Sequence, residues 1–400
     1  MVGKRRCVVP EMFSSAATFV IALLQLINTE ATAAAVVFSA GTNPGYPCIR
    51  IPSALAIPST NIVLAFAECR KWGGDQCFVA NVPNATRAQQ FNRSICMKRS
   101  TDGGASFGAL QENITHRYSA NPSAVVLPNN KIKLYFNDAL DKTLFSILSN
   151  DLGQTWEKST ALLDHATGNI LTGINGPGNS VVASSSANNV TTTIHIAVYD
   201  ANRQNQTMFS SVKVLCSINH GRTWINVSPV SSPGIHMFQH LGEPSLTLLK
   251  NGILLLDARC PDGRGYYPGP ASPCSCNCRG VSISKNNGMT WSSTMFDNTT
   301  VVDPDCQGAV LGLRNGSFVF SNPNSPTERI DLAVRLGNDV NGGGRVAWSK
   351  NVVSLANERT SAGYSSLFES DNGSVGVLWE TEGNGVKCKG EGCSIVLSFI

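Results

Sequence analysis

A chain of 400 residues with 42% apolar and 14% charged residues can bury a large core and is not disordered. Its formal charge of +4 is small for that length, and of 31 basic residues only Lys4-Arg5-Arg6 form a run. Composition therefore points to no nucleic-acid partner.

That run opens the first predicted element. The short apolar stretch "FVIALLQLIN" (Phe19 to Asn28) follows it, then "TEATAAA" with an Ala31-Thr32-Ala33 exit, the layout of a secretory signal peptide. The apolar run is short for a membrane span. Residues 1–35 are predicted to be a leader and residues 36–400 a single domain, with membrane attachment expected only if the leader stays uncleaved. Nine Asn-x-Ser/Thr sequons agree with export to a secreted, lumenal or cell-surface location: Asn84, Asn92, Asn113, Asn189, Asn205, Asn226, Asn298, Asn315 and Asn372. So do the cysteines, since twelve remain without Cys7, an even number suited to disulfides. The cluster "CPDGRGYYPGPASPCSCNCRG" (Cys260 to Gly280) could suggest zinc, but no histidine is near it. Disulfides are the expectation there, and no metal site is predicted.

After residue 40 almost no stretch has a helical period. Short apolar or alternating runs follow one another, among them "IVLAFA", "SAVVL", "KIKLYFN", "TTIHIAVY", "GILLLDA", "SFVFSN" and "SVGVLWE". Each is bounded by Gly, Asn, Pro or Asp, as strands and turns are. "SLTLLKNGILLLDAR" places Asn-Gly between two strands, a strong hairpin signal. Four copies of Ser-x-Asp/Asn-x-Gly-x-x-Trp/Phe punctuate the series: "STDGGASF" from Ser100, "SNDLGQTW" from Ser149, "SINHGRTW" from Ser217 and "SKNNGMTW" from Ser284. Each follows an apolar run, so each is predicted to be a turn tying two strands together. A recurring hairpin of this kind suits the blades of a β-propeller, and about 365 residues in blades of roughly 50 to 60 give six or seven blades.

The four repeats resemble the Asp boxes of sialidases, and "YPCIRIPSALAI" carries an Arg-Ile-Pro element at Arg50-Ile51-Pro52. The similarity runs from about Tyr46 to Glu380 and includes "LAFAECRKWGGD", "NPSAVVL", "GEPSLTLLKNGILLLDAR", "ERIDLAVRL", "GYSSL" and "VGVLWE". The family resembled is the exo-α-sialidases of the six-bladed propeller type. It implies an all-β, six-bladed β-propeller of four-stranded antiparallel blades and a retaining hydrolase of terminal α-linked sialic acids. Sialylated glycoproteins, glycolipids or oligosaccharides would be its partners, with no cofactor.

The chemistry explains the residue types. The substrate's anomeric carbon bears a carboxylate, which planar, permanently charged guanidinium groups hold well. By resemblance Arg50 is the first and Arg259, in "LLLDAR", the second. "ERIDLAVRL" offers Arg329 and Arg335 for the third; strand alternation puts both on one face, and the resemblance favours Arg329. A carboxylate nucleophile would be repelled by the substrate's own, and sialidases use a tyrosine instead. The resemblance gives Tyr364 that role, Glu243 that of its base, Asp75 that of acid/base on the leaving oxygen, and Glu380 that of orienting Arg50.

Departures from the pattern are Phe107 for Trp in the first repeat, and Asn219 and Asn286 for Asp in the third and fourth. The Cys260–Gly280 stretch reads as an insertion beside the site, where Tyr266 and Tyr267 would either rim the pocket or decorate a disulfide-tied loop. Trp72 stands beside the acid loop as a possible lid. The other readings are a non-catalytic sialic-acid-binding propeller, a trans-sialidase, and a hydrolase of another nonulosonic acid.

Overall fold

Apolar runs such as Leu254-Leu255-Leu256 are too continuous for a sheet with one wet face, and the architecture shows why. In the computed structural model the described residues are 31 and 34–400, except 40–45, 72–85, 87–88, 90, 116–117, 185–191, 205–206, 229, 233–234, 237–240, 251, 261–277, 298–299, 341–344, 356–357 and 383–392. The predicted leader, and with it any cleavage or anchoring, falls on residues almost all outside this set. Among the described residues no helix is long and apolar enough to cross a membrane.

Six antiparallel sheets follow in chain order as the blades of a propeller. Blade one is Cys48–Ala56, Val63–Arg70 and Arg93–Ser100; blade two Ser119–Val126, Ile132–Asp138, Leu144–Ser149 and Thr160–Ala161. Blade three is built on Val181–Ser184, Thr192–Gln204, Thr207–Ser217 and Thr223–Asn226; blade four on Gly242–Leu248, Leu254–Arg259, Arg279–Ser284 and Met295–Asp297. Blade five is Ala309–Gly312, Phe318–Pro323, Leu332–Val340 and Arg345–Ser354. Blade six takes Ala362–Glu369, Val375–Glu382 and Cys393–Phe399 from the C-terminus and its outer strand, Ala35–Ser39, from the N-terminus. The chain thus closes its own ring, starting at the last residue of the predicted leader. Among the described residues blade one departs from the four-stranded pattern: no fourth strand forms, and its outer edge takes the Met97–Gln111 bridge and the N–H groups of Gly108 and Ile114.

Each blade is covered on both faces by its neighbours. Leu254 and Leu256 pack with Val181, Val212 and Val214 of blade three, while Leu255 packs with Val310, Phe318 and Phe320 of blade five. Side chains alternate across a strand, so a blade between two others needs apolar residues at consecutive positions. Each fully buried Leu, Val or Phe contributes about 1.5–3 kcal/mol.

The four repeats form one turn four times over. The serine Oγ accepts the glycine N–H (Gly153 to Ser149, 2.8 Å) and donates to the Asp or Asn side chain (Ser149 to Asp151, 2.8 Å). That side chain accepts the N–H ahead of the aromatic residue, from Thr155 at 2.9 Å and, in the third copy, from Thr223 at 2.9 Å. Asn serves as well as Asp because the second contact reverses: Thr155 Oγ1 donates to Asp151, whereas Asn219 Nδ2 donates to Thr223 Oγ1. The turn also reaches beyond its own blade. Trp156 meets Phe66 of blade one edge to face at 5.9 Å, and Trp224 meets Tyr135 of blade two at 5.4 Å. The repeats therefore staple neighbouring blades as well as joining strands.

Gly153 has φ +83°, and a Cβ there would lie 2.8 Å from Leu64 of blade one. Gly153→Ala should cost about 1–3 kcal/mol through strain and overpacking. Asp151→Asn should stay within about 0.5 kcal/mol of wild type, as surface replacements without a lost contact do. Equilibrium unfolding of the two variants checks both values, and equal losses would contradict this account.

At the opposite face the innermost strands of blades one, two and four open with x-Pro-Ser: Ile51-Pro52-Ser53, Asn121-Pro122-Ser123 and Glu243-Pro244-Ser245. The residue before proline has φ +60°, +54° and +38° respectively, and the strand register shifts there. Such bulges bend a strand and re-aim a side chain. The serines then link inner strands: Ser53 Oγ donates to Gly178 O (2.5 Å), Ser123 Oγ lies 2.7 Å from Ser180 Oγ, and Ser245 Oγ accepts Val310 N–H (3.1 Å).

Not every cysteine is paired. Cys69 and Cys96 form a disulfide across blade one, and Cys48, Cys260 and Cys278 are disulfide-bonded too. Cys216 and Cys306 are buried free thiols, so an even count does not here mean complete pairing. Cys306 packs against Ile51 and Tyr364.

Candidate active site

The bulged face gathers residues far apart in the chain. Blade six supplies Tyr364 from its inner strand and Glu380 from the end of its second strand. Blade one supplies Arg50 ahead of its bulge, and blade four supplies Glu243 at its bulge and Arg259 where its second strand ends. Arg329 stands just before the third strand of blade five, Leu332–Val340.

Tyr364 lies at the centre. Its hydroxyl donates a short hydrogen bond to Glu243 Oε1, while Glu243 Oε2 takes Arg259 Nη1 at 2.7 Å. The Arg50 and Arg329 guanidinium carbons lie 5.0 and 5.9 Å from the Tyr364 ring centre. Burial and the Glu243 charge push the Tyr364 hydroxyl well above its ordinary pKa, against three arginines pulling it down. Burial pushes Glu243 up, but Arg259 and the Tyr364 hydrogen bond outweigh it and hold the carboxyl below its ordinary range. A neutral phenol thus donates its hydrogen bond to an ionised carboxylate.

Glu380 fixes the other side. Its two oxygens take Arg50 Nε (3.2 Å) and Nη2 (2.9 Å), and also the N–H groups of Ile51 (2.7 Å) and Tyr364 (3.1 Å). A bidentate arginine–carboxylate pair is geometrically specific. This one is 2% exposed on each partner, so Arg50 cannot swing. Gly363 lets the carboxylate in, since a Cβ there would lie 2.3 Å from Glu380 Oε2.

The two candidates for a third arginine diverge. Arg329 lies beside Tyr364 and donates Nη2 to Asp305 O at 3.1 Å. Arg335 is buried within blade five, donating to Thr300 O (2.9 Å) and Asn324 Oδ1 (2.6 Å). The bulge in Leu332–Val340 comes after Arg335, and Arg329 precedes the strand, so the alternation rule that left both open does not reach it.

Asp75, Trp72, Tyr266 and Tyr267 lie outside the described residues. The strands flanking the Asp75 segment are firmly held. Glu68 carries Arg70 (2.7 Å), Arg93 (3.0 Å) and the N–H of Asn121 (2.8 Å), and Lys71 N–H donates to Asn92 O at 3.0 Å. Glu68 does at the junction of blades one and two what Glu380 does at that of six and one.

Sequence reasoning missed two features. One is Asp305, whose Oδ1 accepts Arg259 Nε at 2.6 Å. The other is a layer beneath it: Arg279 donates to Asp257 (2.9 and 2.6 Å), to Asp303 (3.2 Å) and to Cys306 O (2.5 Å). An acidic residue at each end of "DPD", between two of the predicted arginines, was the available signal.

Comparison with known proteins identifies the family and the fold. The BNR repeat-like domain family matches residues 117–377. A sialidase of Bacteroides fragilis (strain YCH46) is 25% identical over 146 residues, which are 35% of this chain and 24% of that one, so the match spans about a quarter of the relative's length. Among solved structures, the NanB sialidase of Streptococcus pneumoniae superposes with a TM-score of 0.66 at 14% identity, covering 92% of this chain and 70% of that one. A leech intramolecular trans-sialidase gives 0.64 at 14% identity, covering 92% and 70%. At such identities the structures establish the six-bladed fold. The family match covers more than half of the sequence, and the chain belongs to the BNR repeat-like domain family, with the propeller fold found in sialidases.

Proposed function

We propose that the protein is a retaining exo-α-sialidase that removes terminal α-linked sialic acids from glycoproteins, glycolipids or oligosaccharides. The observation that carries this reading is the Tyr364–Glu243 hydrogen bond set among Arg50, Arg259 and Arg329. The arginines hold the substrate carboxylate and so place the anomeric carbon over Tyr364. Tyr364 Oη attacks that carbon as Glu243 takes the phenolic proton, and Asp75 protonates the departing glycosidic oxygen. Water, deprotonated by Asp75, then attacks the tyrosyl glycoside, and Glu243 returns the proton to Tyr364. Two inversions give net retention.

Release of a fluorescent aglycone from an α-linked N-acetylneuraminic acid substrate tests the activity, and the absence of turnover would refute it. The leech neighbour is an intramolecular trans-sialidase, so the released sugar should also be identified; free α-N-acetylneuraminic acid as the first product marks hydrolysis with retention. Glu243 must be charged to act as the base, and its pKa is held below the ordinary glutamate value of 4.5. Activity is lost only as pH falls through that depressed value. The acid limb of kcat/KM should therefore lie below about pH 4.5; a limb near pH 6 would mean that another group is the base.

A further inference from the structure

Arg259 serves two carboxylates at once. Its Nη1 donates to Glu243 and its Nε to Asp305, while Nη2 has no hydrogen bond among the described residues. Asp305 also reaches the neighbouring arginine, its main-chain oxygen accepting Arg329 Nη2. Asp305 makes both contacts at φ +59°, a left-handed conformation that Asp tolerates better than most side chains.

The segment around Asp305 is clamped on both sides. Upstream, Asp303 Oδ1 accepts the Cys306 N–H at 2.9 Å and Asp303 Oδ2 holds Arg279 at 3.2 Å. Downstream, Gln307 Nε2 donates to Ser365 O (3.1 Å) and its Oε1 accepts Ser365 N–H (2.9 Å), next to Tyr364. Asp305 is therefore held in place by the fold, and its side chain is only 19% exposed.

Charge gives this position a consequence. Arg50, Arg259 and Arg329 carry three positive charges. Glu243, Glu380 and Asp305 carry three negative ones within hydrogen-bond reach of them. The Tyr364 hydroxyl and the Cys306 thiol are neutral, burial having pushed the thiol up to about 11. Without Asp305 the same group would be positive by one. Asp305 also takes the Nε end of a guanidinium whose fork could otherwise grip a carboxylate with two nitrogens.

We propose that Asp305 is a specificity-determining positioning residue, which occupies one donor of Arg259 and cancels the pocket's excess positive charge, so that an anionic sugar is held by Arg259 through Nη2 and released readily. The inference rests on the sialidase reading of the site. Like charges so close to a bound carboxylate weaken its binding, and a neutral acceptor in the same place would not.

The test compares wild type, Asp305→Asn and Asp305→Gly in the full chain. Asn keeps an acceptor for Arg259 and drops the charge; Gly suits φ +59° and drops both. Inhibition constants are measured for N-acetylneuraminic acid and for its methyl ester, together with kcat and KM. Asp305→Asn should bind the acid about tenfold more tightly and show a lower KM, with the ester unchanged; Gly should bind the acid at least as tightly as Asn. Equal changes for acid and ester, or unaltered affinity for the acid, would overturn the proposal, because a merely structural role does not distinguish the two ligands. If wild type neither binds nor cleaves the sialoside, the sialidase reading falls and this inference with it. Wild-type activity with an unimproved Asn variant removes the inference alone.

Discussion

Replacing Tyr364 with Phe should lower kcat by about a thousandfold or more, as loss of a covalent nucleophile does. Affinity for free N-acetylneuraminic acid should change little. The change removes one oxygen and leaves Arg50 paired with Glu380, Arg259 with Glu243 and Arg329 with the Asp305 carbonyl. The two quantities separate because binding is carried by guanidinium groups and bond-making by the phenol. The Tyr364 hydroxyl is kept protonated by burial and by Glu243, so it cannot become a phenolate unaided. Glu243→Gln should accordingly lose about 10²–10⁴-fold in kcat, the usual contribution of a positioned base. Paired measurements of single-turnover rate and equilibrium binding decide the matter. A Tyr364→Phe enzyme of near-normal rate would remove Tyr364 as nucleophile, and one that had lost sugar binding would show that the ring positions the arginines.

What could be read from the sequence follows from what each feature depends on. Turn chemistry is local, so "SNDLGQTW" and the Asn-Gly of "SLTLLKNGILLLDAR" announced turns that the chain makes at Ser149–Trp156 and Gly252. Inter-blade packing is not local. Nothing in the repeat says that Trp156 lands on Phe66 or that Gly153 must admit Leu64. Ring closure was hidden for the same reason, since Ala35–Ser39 pairs with a strand at the other end of the chain. Within the site, residues carrying a motif (Arg50, Glu243, Arg259, Tyr364 and Glu380) could be picked out by resemblance. The choice between Arg329 and Arg335 could not be made from alternation, because Arg329 precedes the strand to which that rule was applied. Asp305 escaped because its importance lies in a positive φ and a contact reaching back to Arg259. Pairing of the cysteines could not be read from their number, because it depends on proximity: Cys216 and Cys306 are each buried as thiols.

Arg279→Met should be the most destabilising change near the site. Arg279 has no exposed surface and holds two buried carboxylates, Asp257 and Asp303, as well as the Cys306 carbonyl. Breaking a buried ion cluster by removing one member costs about 3–5 kcal/mol, because the remaining charges stay desolvated and unpaired. Even in the intact protein, burial and the neighbouring Asp303 charge push Asp257 up to about 6. A folded pKa above the ordinary 3.8 means that this group's contribution is fully present at low pH and is lost as pH rises through about 6. Glu68 and Glu243 have depressed values, so their contributions are lost only in more acidic solution and are constant across that window. Arg279→Met should therefore unfold at a lower temperature than wild type at pH 7.5 and recover part of the difference at pH 5, where the abandoned carboxylates can take up protons. Adding Asp257→Asn should supply the same recovery at pH 7.5. Thermal unfolding at the two pH values checks this, and a deficit independent of pH would assign it to lost packing. Asp257 lies two residues before Arg259, and Asp303 two before Asp305, so the same cluster that bears on stability also sets where the pocket's charges stand.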